Sequence, residues 1–290
     1  MAPRKPISES FALIQENSYG IVKRLEYVSQ ILLTVHARQV LDIGCGTGDL
    51  LVRPLAERFP AVAFLGFDDD ARTIACAVRR CGRENLEFTD RWEVAAVRTF
   101  DTVIMSEVLE HVLEPQEFLE RGATVLKSAG HLVVTVPNGY GAFECLSVLK
   151  KVLDHSGILS VMQAGQTSFT SQSVDVPVDT CANSPHVNFF SYGELLNLFR
   201  MSSLQVVDYR PRSMLCGFGV DRFVRGRYLL TLNNLIPEYF GPWCASDWMF
   251  LLRKAPSRLG LRYACCGLSR FRRNWNLRRA LLGQTNEPRP

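Results

Sequence analysis

The sequence predicts an α/β fold: a mostly parallel sheet with helices on both faces. Three observations carry that prediction. Short apolar runs recur at 40–43, 62–67, 101–106 and 130–136, and stretches with helical spacing of their apolar residues lie between several of them. Parallel strands joined by crossover helices need this alternation. The first run, Val40-Leu41-Asp42-Ile43, ends in Gly44-Cys45-Gly46-Thr47-Gly48-Asp49 and opens onto the amphipathic Leu50 to Phe59. A buried strand passes into a helix in this way, with a ligand at the turn. The second run closes in Asp68-Asp69-Asp70, at the sheet edge where open parallel sheets bind ligands.

The glycine loop defines the cofactor. Glycine suits positive φ or close approach of a ligand to the main chain. The spacing Gly44-x-Gly46-x-Gly48 departs from the G-x-G-x-x-G fingerprint that cradles a pyrophosphate. Asp42 and Asp49 flank the loop, which argues against an anionic pyrophosphate and for a ligand carrying a cation. Val-Leu-Asp-Ile-Gly-Cys-Gly-Thr-Gly resembles the first motif of the class I S-adenosylmethionine-dependent methyltransferases, whose cofactor has an ammonium and a sulfonium. The resemblance implies that Asp42, Gly44, Cys45, Gly46 and Gly48 line that cofactor.

The remaining elements follow in chain order. Ser8 to His36 has largely helical apolar spacing and is expected to form one or two helices over the substrate side, with Asn17 and Tyr19 as candidate contacts. At the end of the second strand Asp68 is placed to accept from both ribose hydroxyls, Asp70 to cap the next helix, and Asp69 to border the adenine. Leu86-Glu87-Phe88 reads as a third strand, and the resemblance puts Asp90, just after it, against the adenine amine. Asp101 to Ser106 is the fourth strand, with Ser106 on the cofactor side. Gln116 to Leu126 is a helix, and Gly130 to Val136 is the fifth strand. The resemblance runs closely over 40–138. It implies a Rossmann-like sheet of seven strands, the last of them antiparallel.

Beyond that core, Ser191 and Glu194 have the spacing of a capping box for a helix over 192–201. Leu204 to Tyr209 and Trp248 to Arg253 read as strands. The domain division is an N-terminal helical cover over 1–37, a methyltransferase domain over 38–255 and a basic extension over 256–290. Insertions interrupt the domain at 139–185, a segment rich in Ser, Thr, Gln and Gly that reads as a substrate cover, and at 211–246. The second insertion carries Leu215, Phe218, Tyr228, Leu229, Tyr239, Phe240 and Trp243, which fits a pocket wall or a homodimer interface.

Glu107, Glu110 and His111 stand at i, i+3 and i+4, which puts them on one face if the stretch is helical. Glu-Val-Leu-Glu-His resembles a motif shared by ubiquinone-pathway O-methyltransferases and small-RNA 2′-O-methyltransferases. There two Glu and a His bind a divalent cation with help from a later His. The resemblance therefore implies a site for Mg²⁺, Mn²⁺ or Zn²⁺ built from Glu107, Glu110, His111 and His186, with Glu107 and His111 catalytic. Two other roles stay open: His111 as a metal-free general base, and a purely structural role as a helix start.

Composition sets the outer bounds. An apolar fraction of 47% and a charged fraction of 21% are those of a soluble globular chain, and no apolar run nears the roughly 18 residues of a membrane span. Met-Ala-Pro-Arg-Lys-Pro is followed by no apolar stretch, so no signal peptide is expected. Nine cysteines without paired spacing point to reduced thiols and a cytoplasmic location. The net charge of +4 is uneven, because residues 253–290 hold ten Lys/Arg against one Glu and the rest is acidic. Such a tail suits an anionic partner, membrane-peripheral or nucleic acid, or else packs on the body. The expected function is S-adenosylmethionine-dependent O-methylation of a small molecule or a glycan or lipid intermediate. The alternatives are metal-dependent RNA 2′-O-methylation and non-catalytic cofactor binding.

Overall fold

In the computed structural model of the 290-residue chain, the residues described are 21–141, 186–215, 226–255, 263, 267, 269–274 and 276. Asn17, Tyr19 and nearly all of the 139–185 insertion lie outside them.

Seven strands form one sheet: β1 (Gln39–Ile43), β2 (Ala63–Phe67), β3 (Leu86–Thr89), β4 (Phe100–Ser106), β5 (Leu126–Pro137), β6 (Leu204–Pro211) and β7 (Asp247–Lys254). Their order is β3-β2-β1-β4-β5-β7-β6. The first five run parallel, while β7 is antiparallel to both β5 and β6. This is the sheet the resemblance implies. The helices are α1 (Ile21–Thr34), α2 (Val52–Arg58), α3 (Ala71–Arg80), α4 (Trp92–Ala96), α5 (Pro115–Thr124), α6 (Tyr192–Met201) and α7 (Arg227–Phe240).

Side chains alternate across a strand, and here both faces of the central strands are covered, so these strands feed two cores. Leu41, Ile43, Val103, Met105, Leu132 and Val134 join the core closed by Leu119 of α5 and Leu195, Leu198 and Phe199 of α6. Val40, Ile104, Val133 and Met249 point the other way, against Tyr27, Val28, Ile31 and Leu32 of α1 and Val52 and Leu55 of α2. Burial on both faces is why these runs read as continuous apolar stretches. Asp70 caps α3, accepting from the Arg72 amide at 3.0 Å. Ser191 and Glu194 close a full capping box on α6.

The last two strands carry the sheet edge to its ligand-binding rim. Because β7 runs antiparallel, its first residue, Asp247, pairs with Pro137 at the carboxyl end of β5. Arg212, just past β6, reaches Asp247 through its guanidinium. Both are buried.

Candidate active site

The glycine loop follows β1 and turns at three left-handed residues, Gly44 (φ +76°), Gly46 (φ +55°) and Gly48 (φ +75°). L-side chains are strained there. The amides of Gly44 and Cys45 both donate to the Phe67 carbonyl, at 2.8 and 3.1 Å, which ties the loop to the end of β2. A Cβ on Gly48 would sit 2.6 Å from the Phe88 ring, and one on Gly66 would sit 2.7 Å from it. The loop, β2 and β3 are thus packed at van der Waals limits.

Asp68 carries the next part of the rim. Its carboxylate accepts from the Gly46 amide at 2.9 Å and from the Asp70 amide at 3.1 Å, so it positions the loop as well as facing it. Burial raises its pKa, and these two amide bonds oppose that rise. Asp42 is buried beneath the loop, and burial, then the charge of Asp68, push its carboxyl up to about 8. A cation bound here would restore its ionised form. Asp69 and Asp90 are exposed. Asp90 follows Thr89, whose carbonyl accepts from the Asp68 amide at 3.3 Å, so the ends of β2 and β3 adjoin. Asp49, expected beside a cationic ligand, instead pairs with Arg53 and Arg80.

After β4 the structure departs from expectation. Residues 107–112 are a turn and not a helix, and Glu107 itself has φ +57°. The i, i+3, i+4 spacing therefore does not gather the three side chains. Glu107 turns toward the sheet, where its carboxylate accepts from Thr135 Oγ1 at 2.8 Å and lies 3.9 Å from Arg24 of α1. Burial pushes its pKa up, but Arg24, Arg212 and the Thr135 hydroxyl outweigh this and hold it below the usual range.

Glu110 and His111 come together with His186, each offering one donor atom, and these atoms lie within 4.8 Å of one another. Glu107 is not in that group, which corrects the four-residue set. The Glu110 carboxylate is 3.9 Å from His111 Nε2, and the two imidazoles meet edge to face with centroids 4.9 Å apart. Glu110 is almost fully buried. Burial and the charge of Glu107 push its pKa well up. Among the described residues its Oε2 finds no hydrogen-bond partner.

A family model described as a methyltransferase domain matches residues 15–209. The chain belongs to the class I S-adenosylmethionine-dependent methyltransferases. It is 38% identical over 104 residues to a ubiquinone biosynthesis O-methyltransferase of Bradyrhizobium diazoefficiens, covering 34% of this chain and 40% of that protein. It is 31% identical over 120 residues to the ubiquinone biosynthesis O-methyltransferase of Coxiella burnetii, covering 40% and 50%. The chain thus spans half or less of the length of these curated relatives. Among solved structures, it is similar to an O-methyltransferase from a polyketide synthase of Brevibacillus brevis in complex with S-adenosyl-L-homocysteine, at 17% identity, 94% and 88% coverage and a TM-score of 0.46. It is also similar to PKMT2 of Rickettsia typhi in complex with AdoHcy, at 13% identity, 79% and 51% coverage and a TM-score of 0.48.

The candidate site contains residues that sequence reasoning missed. Arg24 donates to Ser106 Oγ at 3.3 Å, and Ser106 and Thr135 share a hydrogen bond of 2.9 Å. Asn188 anchors the turn after β4: its side-chain amide donates to the carbonyls of Leu109 and Val112. A polar residue between Val187 and Phe189, in a run otherwise apolar, was the available signal. Arg24, Thr135, Arg212 and Asp247 carried none, because their partners are distant in sequence.

The basic extension is fastened to this site. The Arg272 guanidinium stacks over the Phe189 ring at 3.7 Å, Asn276 donates to the His186 carbonyl at 2.8 Å, and Arg273 donates to the Leu113 carbonyl. These described residues follow the packing alternative for the tail.

Proposed function

We propose that this methyltransferase transfers the cofactor's methyl group to a hydroxyl oxygen of a small molecule or of a glycan or lipid intermediate. The observation that carries the reading is the cluster of Glu110, His111 and His186 at the carboxyl end of β4, beside the glycine loop. Asp42 and Asp68 would hold the cationic cofactor, with Asp68 accepting from the ribose through lone pairs its backbone bonds leave open. In the transfer, an acceptor oxygen forms a bond to the methyl carbon as the carbon–sulfur bond breaks. The sulfonium becomes a thioether, S-adenosylhomocysteine, and the acceptor's proton must leave. Alignment and proton removal are the enzyme's share, because the sulfonium is already activated.

A carboxylate and two imidazoles suit Mg²⁺, Mn²⁺ or Zn²⁺, and the buried Glu110 Oε2 fits such an ion because it otherwise faces no donor. A bound cation would supply orientation of the hydroxyl and a lower hydroxyl pKa. The Glu110–His111 pair supports a second reading, in which His111 takes the proton directly and Glu110 steadies the imidazolium. The test is turnover, followed as S-adenosylhomocysteine release, on phenols, polyols, prenylated phenols and a short RNA. Methylation of a hydroxyl compound supports the proposal. Transfer confined to the RNA 2′-hydroxyl would replace the acceptor class, and transfer confined to amines or carboxylates would sink the O-methyl reading.

A further inference from the structure

The helix α7 is built inside out. A surface helix ordinarily turns its apolar stripe to the core and its polar face to water. Here Asn233 and Asn234 are buried, while Tyr228, Leu229, Leu232, Tyr239 and Phe240 are exposed. The inward amides have specific partners. Asn233 exchanges hydrogen bonds with the Leu215 backbone at 2.8 and 3.0 Å, and Asn234 accepts from the buried Lys23 ammonium. The orientation is therefore fixed by hydrogen bonds. At 100° per residue the five exposed side chains fall on one arc with Leu235 and Ile236, and that arc contains no charged residue. Trp243 follows in the 3₁₀ turn, 69% exposed.

We propose that this face lies in the interfacial plane of an anionic lipid bilayer. Three features select that occupant. The exposed arc is aliphatic toward its middle, and Tyr239, Phe240 and Trp243 gather at its end, which suits the boundary between acyl chains and headgroups. A chain of contacts links the Trp243 end of this face to the arginines of the C-terminal segment. The Trp243 carbonyl accepts from the Asn138 side-chain amide at 3.1 Å, Asn138 Oδ1 accepts from the Tyr140 backbone amide, and Arg272 lies 5.3 Å from the Tyr140 ring. Next to Arg272, Arg270 and Phe271 are exposed. A second copy docked across a twofold axis would bring two basic segments toward each other, whereas anionic headgroups would neutralise them. The helix has 14 residues and so lies on the bilayer; no helix among the described residues is long and apolar enough to cross one.

The proposal stands on the helix and not on the identity of the methyl acceptor, so it is tested without turnover. Full-length protein is floated with vesicles of phosphatidylcholine alone and with phosphatidylglycerol added. It should rise with the mixed vesicles, less so in high salt. The Leu229→Ser/Leu232→Ser/Phe240→Ser variant should partition about tenfold more weakly or worse, with circular dichroism and cofactor binding unchanged. Should that variant misfold, brominated lipids provide the readout in unmodified α7: they should quench tryptophan emission in the wild type and less in Trp243→Phe. Protein that stays in solution with both vesicles overturns the proposal. So does a dimer by analytical ultracentrifugation that the triple variant dissociates, since the occupant is then a second copy.

Discussion

Asn188 holds Glu110 in place without touching its side chain: the Asn188 amide donates to the Glu110 carbonyl at 3.0 Å, and the Val187 amide donates to the same oxygen at 2.8 Å. With the side-chain bonds from Asn188 to Leu109 and Val112, four hydrogen bonds fasten the turn after β4 to the segment that carries His186. Asn188→Ala would leave the buried Leu109 carbonyl and the part-buried Val112 carbonyl without those donors, a loss of about 1–3 kcal/mol. Because none of these four bonds is made to the glycine loop itself, kcat should fall more than cofactor affinity. Calorimetry showing equal losses of cofactor binding would mean that the clamp serves the whole fold and not the turn.

Asp42 should set the pH dependence of cofactor binding. In the folded chain it keeps its proton to about pH 8, against 3.8 as the ordinary value. Between those limits the folded state binds one proton more than the unfolded state, so this group's contribution to stability falls as pH rises. Binding a cationic cofactor favours the carboxylate and releases the proton. Affinity should therefore climb with pH, by up to about tenfold per unit, and this is best read from pH 5.5 to about 7, below the titration of the cofactor's own amine. Calorimetry in buffers of different ionisation enthalpy should show proton release, which Asp42→Asn abolishes. A flat affinity across that range would refute the assignment.

Gly48 tests the loop by two separable effects. Alanine at φ +75° costs about 1–2 kcal/mol of backbone strain, and its Cβ meets the Phe88 ring at 2.6 Å. Gly48→Ala should lower both the Tm and the cofactor affinity. Adding Phe88→Ala should recover the part due to crowding and leave the part due to strain. A Gly48→Ala protein with wild-type melting and binding would contradict both.

Removing the chain after Lys254 distinguishes a tail that serves a partner from one that belongs to the site. The stacking of Arg272 on Phe189 and the bond from Asn276 to His186 tie it to the cluster. Truncation should therefore lower the Tm and reduce turnover even on a freely diffusing acceptor. Intact turnover would return the tail to the role of an anionic-partner arm.

The parts of this site that were legible in the sequence are those built from neighbours in the chain. The three glycines are left-handed because their own turn demands it, Asp68 ends its own strand, and Ser191 and Glu194 cap their own helix. The turn at 107–112 was not legible because its spacing is compatible with a helix, and what breaks that helix is Glu107 in a left-handed conformation. That conformation is accompanied by contacts to Thr135 in β5 and Arg24 in α1, which no local pattern reveals. The apolar content of α7 was equally plain, but its direction depends on Asn234 meeting Lys23 from the far end of the chain.

The sharpest prediction concerns Glu110, and its test must separate a cation from a base. If Glu110, His111 and His186 hold a divalent ion, excess EDTA should abolish turnover while cofactor binding persists, and added Mg²⁺, Mn²⁺ or Zn²⁺ should restore it. Glu110→Gln, which keeps the shape and loses the charge, should then behave like chelation, with activity or metal affinity down by about 10–100-fold. Glu107→Gln should be milder toward metal, because that carboxylate faces Thr135 and Arg24 and stands outside the cluster. His111→Ala cannot decide, since a ligand and a base are lost by the same change. Full activity in EDTA would remove the ion. His111 would then be the base, and His111→Ala should abolish turnover with cofactor binding intact.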